Sequence, residues 1–191
     1  MPQERRPLLL VLEDDPTLRH EIAEMARETG WEVKECWSVE GAQRIAVSHS
    51  QEVKLAFVDM MVPDTDADYL KLRTELDERD VFVLSQYDGQ READFSEKHL
   101  MAARSELLAR DARIQTLVNL EGGMEFLKNA SEKIATWRIM VLSSRTPVAH
   151  LTIPPIGDLK DRWIGWRPKP VDPEALLLVL REELQQLSIT S

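Results

Sequence analysis

Residues 8–15 read LLLVLEDD, and residues 53–59 read VKLAFVD. Each stretch is a mainly apolar run that ends in carboxylates, which is typical of a strand in the middle of a parallel sheet covered on both faces. The first run is followed by Pro16 and an amphipathic segment that stops at Gly30, so it predicts a strand, an acidic turn capped by Asp15 and a helix. Together the two runs predict an α/β fold.

The segments around these runs alternate between strand and helix patterns. Residues 31–36 predict a short strand and Ser38 caps a following helix, while residues 138–142 and 163–166 predict two further strands. A last helix is predicted to start at residues 172–174. The alternation implies right-handed crossovers, and it predicts a flavodoxin-like, doubly wound sheet of five parallel strands in the order 2-1-3-4-5.

The middle of the chain does not fit this alternation. Residues 93–120 form a long amphipathic stretch, Gly122 and Gly123 interrupt it, and residues 124–137 resume an apolar stripe, so we predict a helical hairpin or arm. Its apolar stripe is also a candidate surface for a homodimer. The predicted organisation is a discontinuous main domain, residues 1–76 and 137–191, with a helical insertion, residues 77–136, before the fourth strand or after an early fourth strand.

Composition and charge exclude several classes of function. The formal net charge of −10 and the absence of a dense basic block disfavour direct binding of nucleic acid. No apolar run is long enough to span a bilayer or serve as a signal peptide, which predicts a cytoplasmic protein with no membrane association. The single cysteine, Cys36, excludes an internal disulfide, and the four histidines form no zinc motif.

The acidic residues that end the two apolar runs are candidates for a metal site. Glu13 and Asp14 follow the first strand and Asp59 ends the third, and these strands are neighbours in the predicted order. Like charges brought together without a cation repel each other, whereas Mg²⁺ prefers carboxylate, carbonyl and water oxygens. The pattern therefore predicts a Mg²⁺ site at the carboxyl edge of the sheet.

Three segments give the chain a specific resemblance to a known family. They are LLLVLEDDPTLR (8–19), FVDMMVPDTDADYL (57–70) and WRPKPV (166–171). In this order they resemble the response-regulator receiver domain of two-component signalling, in a stand-alone and atypical form with a helical insertion. The resemblance covers residues 8–76 well and residues 138–187 in part.

The resemblance implies a role for each matching residue. Asp59 would be the phosphoacceptor, and Lys169 would pair with it and then with the phosphoryl group. Asp14 would bind Mg²⁺ directly, Glu13 would act on the metal through water, and the backbone carbonyl of Met61 would be a further ligand. Trp166 stands at the position of the family's switch aromatic.

Two serines, each at the end of a predicted strand, compete for the role of the hydroxyl that contacts the phosphoryl group. Ser85 lies 26 residues after Asp59, and Ser143 lies 26 residues before Lys169. Strands are about 4.8 Å apart, so an extra strand between the hydroxyl and Lys169 would carry the lysine out of reach, which favours Ser143.

The sequence departs from the family at two places. Ala67 stands where glycine is usual in the loop after the phosphoacceptor. Residues 144–162, with Pro147, Pro154 and Pro155, match the family's fourth helix poorly.

The function implied by the resemblance is that of a phosphorylation-dependent response regulator. It would accept phosphate from a histidine kinase or phosphotransfer protein and signal to a downstream protein target through protein–protein contacts. It would not be an enzyme in the usual sense, since it would catalyse at most its own phosphorylation and dephosphorylation. The alternative is a receiver-like adaptor or scaffold that binds partners without using phosphate, which the two departures allow.

Overall fold

The computed structural model of the protein describes residues 6–89, 97–144 and 162–190. Within these residues the strands are β1 (Leu8–Leu12), β2 (Glu32–Cys36), β3 (Val53–Asp59), β4 (Arg138–Ser143) and β5 (Trp163–Pro168). The helices are α1 (Pro16–Thr29), α2 (Val39–Ser48), α3 (Asp66–Gly89), α4 (Glu97–Leu117), α5 (Gly122–Asn129) and α6 (Pro173–Thr190). The predicted irregular region with Pro147, Pro154 and Pro155 lies outside the described residues.

The strands form one sheet in the order β2-β1-β3-β4-β5. Every neighbouring pair is parallel, from β1 with β2 to β4 with β5. This confirms the predicted flavodoxin-like order. Parallel strands end at a common edge, so the residues after β1, β3, β4 and β5 open onto the same side of the molecule.

Helices cover both faces of the sheet. On one face Leu9 of β1 packs in a cluster with Ile22 of α1 and Leu180 of α6. On the other face Leu10 belongs to a cluster that includes Ala42 of α2 and Phe126 of α5. Successive β1 side chains therefore alternate between two buried layers, which explains why the strand is apolar at every position.

Local signals fix the ends of the first two helices. The Asp15 side chain accepts hydrogen bonds from the backbone N–H groups of Thr17 and Leu18, at 2.8 and 3.1 Å, as the capping prediction requires. Gly30 ends α1 in the left-handed conformation at φ 107°, which glycine adopts without steric cost. Ser38 caps α2 by accepting from the Gly41 N–H at 3.0 Å.

Helices α3 and α4 form an antiparallel pair, which we call the arm. Cross-helix hydrogen bonds join Arg79 to Asp111 at 2.8 Å and Arg110 to Glu78 at 2.9 Å. A long helix, α4, lies within the stretch 93–120, but its partner is not the expected one. The helical insertion as a whole stays a prediction. Helix α4 pairs with α3, whereas α5, at the start of the stretch 124–137, packs into the core beside α2.

The interpretation of Ser85 as the end of a strand was also wrong. Residues 81–88, VFVLSQYD, lie within α3 rather than in the sheet. A short apolar run is compatible with either structure, and here the charged helix formers of residues 75–80 continue the helix into it. Ser143, by contrast, ends β4, between β3 and β5.

Candidate functional site

Three acidic side chains meet at the carboxyl edge of the sheet. Glu13 and Asp14 follow β1, and Asp59 is the last residue of the neighbouring β3. One ligand atom from each residue lies within 4.8 Å of the others. Glu13 is fully buried and Asp59 is 3% exposed, so the predicted convergence of these carboxylates occurs in a pocket largely shielded from water.

A lysine completes the cluster from the far side of β4. Lys169 directly follows β5, and its Nζ donates hydrogen bonds to Glu13 Oε1 and to Asp59 Oδ2, both at 2.7 Å. Its backbone N–H donates to the Ser143 carbonyl at 3.0 Å, which ties the end of β5 to the end of β4. The lysine predicted to pair with Asp59 therefore does so.

Burial and mutual repulsion make the carboxylates reluctant to ionise. Burial, reinforced by the Asp59 carboxylate, raises the pKa of Glu13 from 4.5 to about 7, and the same two causes raise the pKa of Asp14 from 3.8 to about 6. Burial also raises the pKa of Asp59, against the opposing effect of Lys169. Burial lowers the pKa of Lys169, but the Asp59 and Glu13 carboxylates outweigh it and raise the pKa above its usual value.

The donor set fits a hard divalent cation. Glu13 Oε2 is buried and has no hydrogen-bond partner in the part of the chain that the structure describes. A buried carboxylate oxygen without a partner is costly, and a cation or its bound water would satisfy it. Three carboxylates also exceed the one Lys169 ammonium in charge, so a further positive charge would stabilise the cluster. The acidic cluster therefore fits a metal site.

Comparison with protein-family models gives no match, and neither does comparison with curated proteins. Comparison with solved structures gives matches. A CheY-like response regulator receiver domain protein from Methanospirillum hungatei JF-1 superposes with a TM-score of 0.56 and 13% identity, over 98% of this chain and 100% of that one. A receiver domain protein from Clostridium thermocellum gives 0.55 and 13%, over 97% and 99%.

A third solved structure is a response regulator protein from Burkholderia pseudomallei with a phosphorylated aspartic acid, a calcium ion and citrate. It has a TM-score of 0.50 and 13% identity, over 96% of this chain and 72% of that one. The chain has the receiver fold. At these identities the likeness establishes the architecture, while the chemistry of the site rests on this chain's own residues.

The remaining predicted residues lie at or near the same edge of the receiver fold. Ser143 is 2% exposed at the end of β4, where the residue before it pairs with Asp59. Met61 lies two residues after Asp59, and its N–H donates to Asp59 Oδ1 at 3.2 Å. Trp166 is half-buried on β5, where it packs against the core on the α2 and α5 face. The hydroxyl, carbonyl and switch roles of these three residues stay predictions.

Two residues next to the site were missed by the sequence analysis. Arg19, 8% exposed, donates from Nη1 to the Glu13 carbonyl at 2.8 Å. Gly123 lies so close to β3 that an added Cβ would be 2.0 Å from the Asp59 carbonyl oxygen. The Gly122-Gly123 pair was interpreted only as an interruption of a helix. A glycine pair that starts a short apolar helix can also indicate close backbone approach.

No helix in the described parts of the chain is long and apolar enough to cross a membrane. The discontinuous domain boundaries predicted for this receiver fold stay a prediction.

Proposed function

We propose that the protein is a phosphorylation-dependent response regulator of a two-component system, with Asp59 as the phosphoacceptor. The observation that carries this proposal is the cluster of Asp14 with the buried Glu13 and Asp59, with Lys169 Nζ 2.7 Å from Asp59 Oδ2, at the open edge of a receiver-fold sheet. A structural ion pair alone would need neither the third carboxylate nor the unpartnered oxygen of Glu13.

The chemistry is phosphoryl transfer to a carboxylate. An Asp59 carboxylate oxygen attacks the phosphorus of a phosphohistidine, an O–P bond forms, and the N–P bond breaks with its electron pair returning to the imidazole. When the other ring nitrogen carries a proton, the imidazole leaves uncharged. Lys169 balances the charge of the phosphoryl oxygens, and the Ser143 hydroxyl donates to one of them. The donor is a histidine kinase or a phosphotransfer protein.

Magnesium is the proposed cofactor of this transfer. Asp14 and Asp59 would hold it directly, Glu13 would act on it through water, and the Met61 carbonyl would complete the protein ligands. Oxygen donors of this kind, with open positions for water and phosphoryl oxygens, are those that Mg²⁺ favours. When bound, the ion neutralises charge that develops on the transferred group. The calcium ion and phosphorylated aspartic acid of the Burkholderia neighbour are consistent with such a site.

The proposed output is a changed protein–protein contact. A phosphoryl group adds roughly two negative charges at the site and shifts an existing equilibrium between loop conformations. The arm is the candidate output surface, because it extends beyond the layers that cover the sheet. A homodimer through the predicted insertion, residues 77–136, stays a prediction, as do the absence of nucleic-acid binding and of turnover of any external substrate.

The direct test is intact mass after incubation with Mg²⁺ and acetyl phosphate. We expect one added phosphoryl group in the wild type and in Asp77→Asn, which removes an exposed carboxylate on the arm, but none in Asp59→Asn. Chelation of Mg²⁺ abolishes the gain. If the wild type gains no mass under conditions that label a control receiver, the adaptor function replaces this proposal.

A further inference from the structure

The start of α3, where the chain enters the arm, is connected through Arg19 to the loop that carries Glu13 and Asp14. Tyr69, on the second turn of α3, stacks on Trp37 with ring centroids 5.3 Å apart. The Arg19 guanidinium lies over both rings, 5.3 Å from the Trp37 centroid and 5.8 Å from that of Tyr69. The same guanidinium donates to the Glu13 carbonyl at 2.8 Å. One buried side chain therefore connects the start of the arm to the first acidic loop.

The segment after α4, where the chain returns from the arm to the sheet, contacts the loop that follows Asp59. Asn119, just after α4, forms an antiparallel bridge with Val62, and its N–H donates to the Val62 carbonyl at 3.2 Å. Its side-chain amide donates to Asp64 at 2.7 Å. Four residues later the Gly123 N–H donates to the Met60 carbonyl at 3.2 Å. The segment 119–123 thus holds the loop 60–64 along most of its length.

These two sets of contacts end on the ligand-bearing loops rather than on the sheet core. Their acceptors are the backbone carbonyls of Glu13, Met60 and Val62 and the side chain of Asp64. Packing alone would be served by apolar side chains, whereas a buried guanidinium costs free energy unless its bonds are satisfied. Arg19 donates a hydrogen bond to the Glu13 carbonyl. Asn119 donates from its backbone N–H and its side-chain amide to the loop after Asp59, and the amide also donates to Glu125. A movement of either end of the arm must therefore displace one of the two acidic loops.

We propose that Arg19 and Asn119 are positioning residues that couple the arm to the acidic site. Occupancy of the site by a cation or phosphoryl group biases the position of the arm, and a protein bound on the arm changes the affinity of the site by the same factor. This coupling rests on the proposed function, because it describes how the arm regulates the same acidic site. It requires no contact between Arg19 or Asn119 and the bound group.

The test measures the affinity of the full chain for Mg²⁺ alone by calorimetric titration. Asn119→Ala removes the side-chain bond to Asp64 and leaves the backbone bond to Val62, and Asn129→Ala is the matched control because Asn129 is exposed on α5, away from the loop. We expect Asn119→Ala to weaken Mg²⁺ binding about fivefold, the lower end of coupling between sites, with no change in the control. Tyr69→Leu, at the other end of the arm, should weaken it in the same direction.

A second measurement uses the wild type alone and does not depend on the folding of a variant. Hydrogen exchange at the Asn119 and Gly123 amides should slow when Mg²⁺ binds, because both amides donate to the loop after Asp59. Unchanged exchange, or equal Mg²⁺ affinity in Asn119→Ala and wild type, overturns the coupling.

The two proposals fail in different ways. If the wild type takes up phosphate on Asp59 but Asn119→Ala binds Mg²⁺ and is labelled like the wild type, only the coupling is lost. If the wild type binds Mg²⁺ more tightly than Asn119→Ala but is never labelled, the coupling stands and the phosphorylation function is lost. A wild type that binds no Mg²⁺ overturns the coupling as well as the metal site.

Discussion

Replacing Asp14 with asparagine should stabilise the metal-free protein. Asp14 is the carboxylate of the cluster that has no hydrogen bond to Lys169, and burial together with Asp59 raises its pKa from 3.8 to about 6. At about 1.4 kcal/mol per pKa unit, the charged form destabilises the folded chain by about 3 kcal/mol at pH 8. An asparagine amide still loses solvation there, so we expect Asp14→Asn to gain about 1–2 kcal/mol.

The pH dependence of this gain identifies its cause. A carboxyl group whose pKa is raised by folding destabilises the folded state fully above its folded pKa, here about 6, and not at all below its unfolded pKa, 3.8. The charge penalty falls to about half at pH 5 while the solvation cost of the amide stays, so urea unfolding in the presence of a chelator should show the gain of about 1–2 kcal/mol at pH 8 and little or no gain at pH 5. Asp77→Asn, which removes an exposed carboxylate, should leave the midpoint unchanged at both values of pH.

Added Mg²⁺ should reverse the order of the two proteins. At a concentration of about 100 times the dissociation constant, binding stabilises the wild type by about 2.7 kcal/mol, and Asp14→Asn loses most of this because it lacks a metal ligand. The reasoning is refuted if Asp14→Asn is less stable than the wild type at pH 8 without metal. An equal gain at pH 5 and pH 8 would assign the effect to packing instead of charge.

Three further substitutions probe the supports of the site by urea unfolding. Gly123→Ala places a Cβ 2.0 Å from the Asp59 carbonyl oxygen and should cost about 2 kcal/mol; an unchanged midpoint would contradict the close approach. Lys169→Met leaves Glu13 and Asp59 without their shared ammonium and should cost about 3 kcal/mol at pH 8. The cost should be smaller at pH 5, where Glu13, whose pKa is raised to about 7, is protonated, and a pH-independent cost would argue against an electrostatic origin. Asp15→Ala removes the cap of α1 and should cost about 1 kcal/mol; loss of Mg²⁺ binding as well would show that Asp15 does more than cap.

The sheet and the acidic cluster could be predicted from the sequence because local signals determined them. The runs 8–12 and 53–59 are apolar at nearly every position and are bounded by turn and helix-cap signals, which together favour a strand buried on both faces. Once these strands were neighbours, Glu13, Asp14 and Asp59 had to meet at one edge. Lys169 was found through its motif, since spacing alone does not bring a residue that distant in sequence to Asp59.

The arm could be predicted only in part, because its pairing depends on contacts between segments with similar patterns. Both α3 and the stretch 124–137 could pair with α4 on apolar content alone. The charged contacts that select α3, such as Arg79 with Asp111, join residues 32 positions apart and leave no periodic signal. The helix around Ser85 could not be predicted for a related reason, since the short apolar run there suits a strand as well as a helix.

The extension of α3 away from the sheet also explains why the start of α5 contacts the acidic site. Among the described side chains of α3, the buried hydrophobic ones are Tyr69 and Leu72, and both lie in the first two turns. The helix then continues away from the sheet with α4. The sheet face beside α2 must still be covered, and α5 covers it with Phe126 and Leu127. To reach that face the chain must return past the end of β3, where only a residue without a side chain fits against the Asp59 carbonyl, and Gly123 is that residue. A chain that sends a long helix out from this position therefore brings its return segment onto the loop after Asp59, and this geometry is the basis of the proposed coupling between the arm and the acidic cluster.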